Sequence, residues 1–537
     1  MPDRMKRENK FLSPEPDIRL TKAFSRPFDN MVATARTCYS SEGIITEADV
    51  AGDDLPDPAD RKEKARRRDN LARDLFQAGH HTTLQHAHFQ FTLNRVSRQF
   101  LWSFLHSHPF YNSEQVSQRY VEVKQGQFAV PPLEESALRI YLQTVEHQHS
   151  AYRELNRLLF PLVEAEYFRR FRGRRRQPEK YRKSIEKKSL EVARYVLPVA
   201  TFAHLYHTIS GITLLRYHRM CEQFDTPLEQ RIVIRKMVEA VLQIDENYKI
   251  VLEEPIPLAE TPEHLALMKW GNGQDDQETV SFLKEFDSSL EGKVSRMVGR
   301  PLDNEALLAQ SVREVLGLSR SRLNDPEAIA LALDPSRNRY LGENLNLDTV
   351  SKLTRALHHP RYTFRKKMSH TADSQNQRHR MTPASRPILA AHLTGDPDFI
   401  LPPLVDSDPA IRKRFVEAME KSWEGIRLLR KRGVPDEFAL YLLPNATSIR
   451  FTESTDLLNL RHKLAMRLCY NAQEEIWQAS VDEALQIREV NPLIGRYLLP
   501  PCGIRDLART APVCPEGKRY CGERVWTYDL RDYHRRI

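Results

Sequence analysis

Apolar side chains recur along this chain at two spacings. Phe89-Gln90-Phe91-Thr92-Leu93 alternates apolar with polar positions, the period of a half-buried strand. Met31-Val32-Ala33-Thr34-Ala35-Arg36-Thr37-Cys38-Tyr39 and Glu305-Ala306-Leu307-Leu308-Ala309-Gln310 open helical patterns, and Ile232 to Leu242 and Leu457 to Ala479 have helical apolar spacing as well. Arg26-Pro27-Phe28-Asp29-Asn30 precedes the first of these helices and Arg300-Pro301-Leu302-Asp303-Asn304 the second, each with a proline before an Asp-Asn pair able to cap the helix. Residues 1–25 are polar and read as partly extended.

The shared openings belong to a longer repeat. Ala193-Arg194-Tyr195-Val196-Leu197-Pro198-Val199-Ala200-Thr201 is echoed by Ala439-Leu440-Tyr441-Leu442-Leu443-Pro444-Asn445-Ala446-Thr447. His106-Ser107-His108, thirteen residues before Arg119, aligns with Arg365-Lys366-Lys367, thirteen before Arg378; Gln118-Arg119 then falls on Gln377-Arg378 and Glu114 on Asp373. Echoes in one order imply a tandem duplication. The proline- and glycine-bearing stretch before Arg300 is the natural connector. The expected organisation is an extension (1–19), a first domain (20–255), a linker (256–297) and a homologous second domain (298–537) with a cysteine-containing tail. Each domain is read as α+β, helix-rich with a small sheet.

A chain of 537 residues has room for two such cores. No run approaches the ~18 apolar residues of a membrane span, and Met1-Pro2-Asp3-Arg4-Met5-Lys6-Arg7 leads into no apolar signal region; a cytoplasmic protein without a membrane partner is expected. The net charge of +9 favours anionic partners such as nucleotides. The basic runs Lys62–Arg68 and Arg169–Arg176 read as solvated faces, and with no nucleic-acid-binding signature beside them nucleic acid is not the expected partner. Cys502, Cys514 and Cys521 are spaced by eleven and six residues, unlike the paired Cys-x-x-Cys of structural zinc sites, and read as free thiols. His80, His81, His86 and His88 have no acidic residue among them, and no metal is expected.

The densest chemistry lies between His80 and Tyr120. His80-His81-Thr82-Thr83-Leu84-Gln85-His86 precedes the strand, Ser97-Arg98 follows it, and Gln115-Val116-Ser117-Gln118-Arg119-Tyr120 groups a hydroxyl, a guanidinium and a phenol suited to a phosphate or carboxylate. In order and approximate spacing these resemble the flavin-dependent thymidylate synthases. That family carries a His-x-Ser-x-x-Glu-His element, a Ser-Arg pair and an Arg-His-Arg signature closing on Ser-x-Arg-Tyr. Here the central signature is degenerate in each half, with His106-Ser107-His108 in the first.

The resemblance implies FAD-dependent reductive methylation of dUMP to dTMP, with NADPH and 5,10-methylenetetrahydrofolate as co-substrates. It implies a site assembled from several subunits, in which the two halves have complementary losses. The first keeps Ser117, Arg119 and Arg194 but has Cys221 where a later helix arginine belongs. The second has Asn376 and Leu440 in place of the serine and the Leu-Pro arginine, yet keeps Arg365-Lys366-Lys367 and Arg467, the latter ahead of Ala472-Gln473-Glu474-Glu475-Ile476. One composite site is therefore expected. Arg467 and Ser117 serve the chemistry, with Ser117 a hydrogen-bonding group and not a nucleophile. Gln115, Ser117, Arg119, Arg194, Arg365 and Arg467 bind substrate, and His80, Thr82, Arg365, Lys366 and Lys367 bind the flavin. The family's flavin-holding asparagines are replaced by Ser210 and Arg216 in one half and Asp456 and His462 in the other. A homodimer would make a pseudo-tetramer of four domains. The alternative is a catalytically silent nucleotide-binding relative with a regulatory or assembly role.

Overall fold

The computed structural model describes residues 10–106, 108–119, 121–222, 225–271 and 276–535. Ser107, Tyr120 and the segment Met1–Arg7 lie outside the described residues.

The first half contains β1 (Asp17–Ala23), α1 (Pro27–Thr37), β2 (His88–Ser97), α2 (Arg98–His106), β3 (Tyr111–Gln115), α3 (Glu135–Arg170), β4 (Phe202–Ser210), α4 (Gly211–Arg219) and α5 (Pro227–Leu242). The second repeats the series as β5 (Ser295–Gly299), α6 (Asn304–Leu316), β6 (Arg361–Ser369), α7 (His370–Asn376), β7 (Ala384–Ser385), α8 (Pro409–Lys431), β8 (Ser448–Asp456), α9 (Leu457–Arg467) and α10 (Glu474–Val490). Both sheets are antiparallel, with strand orders β1-β2-β4-β3 and β5-β6-β8-β7. The α+β reading holds, with two homologous units in tandem. No helix among the described residues is long and apolar enough to cross a membrane.

Local details depart from the sequence reading. Asp29 and Asn30 do not cap α1, whose N-cap is Arg26, and Asp303 makes no side-chain cap at α6. The asparagines instead tie each helix to the approach of the next strand: Asn30 Nδ2 donates to His86 O and Asn304 Nδ2 to Arg361 O, both at 3.1 Å. Leu457 to Ala479 is two helices, not one. The chain leaves the helix after Arg467 and restarts where the Gln473 side chain accepts the Ile476 N–H at 3.0 Å. The connector holds two helices, Pro262–Trp270 and Asp276–Ser289, and leads straight into β5.

The register of the central strands sets the equivalence of the halves. Phe91 stands opposite His207 in the first sheet and Phe364 opposite Glu453 in the second. Ser97 and Ser369 are each the last strand residue before α2 or α7, so they are counterparts. Arg365-Lys366-Lys367 then lies inside β6, and its alignment with His106-Ser107-His108 is corrected.

Each half has its own core, and a third core is shared. Trp102, Tyr141 and Tyr152 of the first half pack in one cluster with Phe415, Trp423 and Tyr441 of the second. Here α3 crosses α8, with Gln148 Nε2 donating to Ser422 Oγ (3.0 Å) and Leu442 O (2.7 Å). The echoed Leu-Pro segments pair reciprocally. Val199 N donates to Leu443 O and Asn445 N to Leu197 O, both at 2.8 Å, while Ala200 N reaches Tyr441 O and Ala446 N reaches Tyr195 O. Such i-to-j, j-to-i contacts define a pseudo-two-fold axis. Buried carboxylates flank it. Glu229 accepts from Ser97 N, Ser97 Oγ and Tyr441 Oη at 2.5–2.7 Å, and Glu475 accepts from Ser369 and, at 2.8 Å, from Tyr195 Oη. In both sets the tyrosine comes from the opposite half.

Candidate active site

The loop after β3 is built by the first half but lies on the second. Val116 N continues the pairing to His204 O, and Ser117 Oγ accepts the Arg119 N–H at 3.2 Å, which turns the chain. Gln118 is buried and accepts from Asn445 Nδ2 at 3.2 Å. Arg119 donates Nε–H to Glu191 at 3.0 Å and Nη2–H to the Asn471 carbonyl at 2.9 Å.

Three further arginines surround this loop with little counter-charge. Arg194 opens the 3-10 turn after helix Pro178–Ala193, is only 4% exposed, and bonds the Glu191 carbonyl through Nε while its Nη2 has no partner. Arg98, the first residue of α2, donates to Val116 O at 2.7 Å and leaves its buried Nε unpartnered. Arg467, the last residue of α9, donates Nε–H to His379 Nε2 at 2.8 Å and Nη2–H to Gln375 O at 3.2 Å. Arg98, Arg194 and Arg467 form no ion pair among the described residues. Burial, then neighbouring guanidinium charge, pushes Arg98 down to about 9 and Arg467 to about 10. Burial also lowers Arg194, beyond what Glu191 restores. Glu191 is the local counter-ion; burial would raise it, but Lys188, Arg119 and Arg194 hold it at about 2. A buried cluster with more guanidinium than carboxylate, and with N–H groups unsatisfied, is built for an anionic ligand.

With Ser97 and Ser369 as counterparts, the residues nine positions on are His106 and Arg378. Arg378-His379-Arg380 therefore stands where His106-Ser107-His108 stands in the first half, and the second half keeps the full Arg-His-Arg. Aligning the repeats on Arg119 and Arg378 hid it; anchoring them on the two strand-end serines reveals it. Arg378 grips both carboxylate oxygens of Glu114 (2.7 and 2.8 Å), and Arg380 reaches Asn112 Oδ1 and Pro109 O at 3.1 Å. A cleft of about 220 Å³ runs between these arginines and Tyr111–Gln115, so Gln115 lines a space shared by both halves. His379 accepts the Arg467 N–H and is therefore neutral; burial, then Arg467, Lys463 and His462, keeps it well below the ordinary histidine range. A larger hollow of about 800 Å³ beside His147 and α8 holds none of these residues.

The structure thus brings together Gln115, Ser117, Arg119, Arg194 and Arg467, and adds Arg98, Gln375, Arg378, His379 and Arg380. It does not bring in Arg365, Lys366 or Lys367. Lys366 is fully buried between Glu453 and Glu483, both at 2.6 Å, with Lys463 completing a neutral foursome. Lys367 pairs with Asp287 at 2.7 Å, and Arg365 stacks over Phe286. The strand pleat and these partners commit all three to the packing of β6 against its own sheet and the connector helix. His80 and Thr82 are exposed in the loop before β2 and share no ion pair or side-chain hydrogen bond with the arginine cluster. The equivalent position in the first half is filled by rings, with His108 packed on Tyr217 and Phe110, and Cys221 there is a buried thiol raised to about 11.

A family model described as "Thymidylate synthase complementing protein" matches residues 19–245 and again 310–493. The chain belongs to this family. The family's two matches run through β1–β4 and β6–β8 and include the arginine cluster, whereas the segment after residue 493 that packs against Asn471 lies outside them. A flavin-dependent thymidylate synthase of Clostridium tetani is 27% identical over 235 residues, covering 43% of this chain and 84% of its own. One from Geobacter sulfurreducens is 30% identical over 217 residues, covering 37% and 90%. A solved structure of a UMP/dUMP methylase from Streptomyces cacaoi, bound with 5-Br dUMP, covers 48% of this chain and 97% of its own at 17% identity and a TM-score of 0.30.

Proposed function

We propose that this chain is a flavin-dependent thymidylate synthase-type methyltransferase acting on dUMP, with one composite site per chain built by both halves. The observation that carries the reading is the meeting of Ser117, Arg119 and buried Arg194 of the first half with part-buried Arg467 of the second, richer in positive charge than in negative, with Arg378 at its exposed edge. Arg119 and Arg194, with Arg98 behind them, take the nucleotide phosphate, for which planar guanidinium forks are suited. Ser117 and Gln115 orient the nucleotide. Arg467, held in plane by neutral His379, stabilises the negative charge that develops on uracil N3 and O2 as C5 becomes nucleophilic, an electrostatic role worth most in a water-poor site.

The cleft beside Arg378 and Arg380 fits the anionic pyrophosphate of FAD. Asp456, which replaces a flavin-holding asparagine, is turned to His358 at 3.0 Å and to the cap of α9, and it does not line that cleft. FAD supplies the hydride-transfer chemistry when bound. NADPH and methylenetetrahydrofolate are the co-substrates, and a homodimer would bring four domains together.

The test is dUMP-dependent NADPH oxidation with methylenetetrahydrofolate in FAD-loaded protein, with Ser117→Ala and Arg467→Ala compared against Arg365→Ala. Loss of turnover in the first two, and retention in the third, supports the reading. Nucleotide binding without turnover in the wild-type chain would leave the silent nucleotide-binding relative as the better account.

A further inference from the structure

Four of the six cysteines converge on one spot that the proposed reaction does not use. Cys502, Cys514 and Cys521 come from the segment after Pro500. The structure adds Cys469, which is 33 positions earlier in the chain and two past Arg467, so no short spacing pattern could connect it. All four are free thiols, partly buried, and line one small cavity walled by Pro501 and Trp526 among others. That space is almost wholly apolar-lined, an unusual place to gather four polarizable sulfurs unless something binds them.

We propose that Cys469, Cys502, Cys514 and Cys521 ligate an iron–sulfur cluster of the four-iron type. The thiol set is the one such clusters use. Four sulfurs also suit tetrahedral zinc, but a single zinc ion draws its sulfurs to about 2.3 Å from a common centre. Among the described residues no three histidine, cysteine, aspartate or glutamate side chains are gathered closely enough to hold one metal ion. Four sulfurs that line one pocket without closing on a single point match a body with several metal atoms.

The surroundings agree. Cys521 Sγ donates to the Glu523 carbonyl at 3.6 Å, and Arg170, ion-paired with the Glu523 side chain at 3.6 Å, brings positive charge beside the sulfurs. Thiols bind metal as thiolates, so metal binding releases their protons. Loading is ligand exchange: ferrous and ferric iron and sulfide come from outside, four Fe–S(Cys) bonds form, and four S–H protons leave to solvent.

The segment has little regular structure of its own. Its one α-helix beyond Pro500, Pro501–Leu507, is two turns long, and the rest is 3-10 turns and loops. It is held to the loop at Cys469 by Asn471 Nδ2 on Arg519 O (2.6 Å) and by His534 N on Tyr470 Oη (2.9 Å). The same Asn471 carbonyl receives Arg119. A cluster here staples the tail to the loop that joins Arg467 to Arg119, and this inference does not depend on the synthase reading.

The test is to purify the full chain anaerobically and measure iron, zinc and acid-labile sulfide per chain, with electron paramagnetic resonance after dithionite reduction; none of these is confused by flavin absorbance. About four iron and four sulfide per chain are expected. Cys514→Ser and Cys521→Ser should retain less than roughly one tenth of the iron, while Cys38→Ser, at an exposed position, retains all of it. If the serine variants do not fold, the wild-type ratios decide alone. One zinc without sulfide, or metal-free protein whose native thiols react freely with Ellman's reagent, would overturn the proposal.

Discussion

Lys366 shows how one side chain can be misread from sequence. In a run of Arg-Lys-Lys it resembles a basic turn waiting for a phosphate, but strand alternation points it inward and Glu453 and Glu483 neutralise it. Breaking a buried ion pair from one side leaves a stranded charge and costs about 3–5 kcal/mol. Lys366→Met should therefore lower unfolding free energy by about that amount in urea titrations, without weakening dUMP binding by the protein that remains folded. Arg467→Ala should do the reverse. It removes charge-assisted hydrogen bonds of about 1.5–3 kcal/mol, so dUMP affinity measured by calorimetry should fall about 10- to 100-fold, with Arg365→Ala within about twofold of wild type. Ser117, Arg119, Arg194 and Arg467 were legible because each sits in a local motif. Arg378-His379-Arg380 was not: its distance to the next motif differs between halves, and only the strand register fixes the alignment. Cys469 was hidden for the same reason, since proximity across a fold leaves no trace in local spacing.

Strands and helices were the most legible level where periodicity is long, as in β2 and α5. The break between α9 and α10 was not, because residues 468–473 carry apolar side chains buried by the tertiary fold, and these mimic helical continuity. The crossing of α3 with α8 was invisible too, since it depends on a residue with no side chain. A Cβ on Gly425 would overlap Thr144 of the opposite half, on both its hydroxyl and methyl sides. Gly425→Val should destabilise the protein by about 1–3 kcal/mol, the usual cost of overpacking. The loss should be partly recovered in Gly425→Val/Thr144→Ala, and thermal unfolding of the two variants checks it.

At the scale of the whole molecule, the pseudo-two-fold buries ionisable groups of both halves. His106, His207, His370, His379 and His392 are all held below the ordinary histidine range by burial, with His207 and His370 at about 3 and His392 at about 4. Their folded values lie below the unfolded value near 6.5, so the unfolded chain binds more protons as pH falls. Stability is then lost below about 6.5, by about 1.4 kcal/mol per pH unit for each group until its folded value is reached. Glu475, raised by burial to about 7, and Asp225, raised to about 6, act oppositely, because the folded form takes up their protons first. Burial raises Asp29, Glu229, Glu437, Glu474 and Asp482 as well, but among the described residues His108, His147, His149, His218 and His462 are lowered alongside the first five histidines, so urea midpoints should fall steadily from pH 6.5 to 5; a rise over that window would contradict the burial of these rings.

The central claim is that two degraded halves make one working site, and the most direct measurement is the number of dUMP molecules bound per chain. Equilibrium dialysis with labelled dUMP should give one per chain, its affinity lowered about 10-fold or more alike by Arg119→Ala in the first half and Arg467→Ala in the second. Two sites per chain, or one that survives either substitution unchanged, would contradict it.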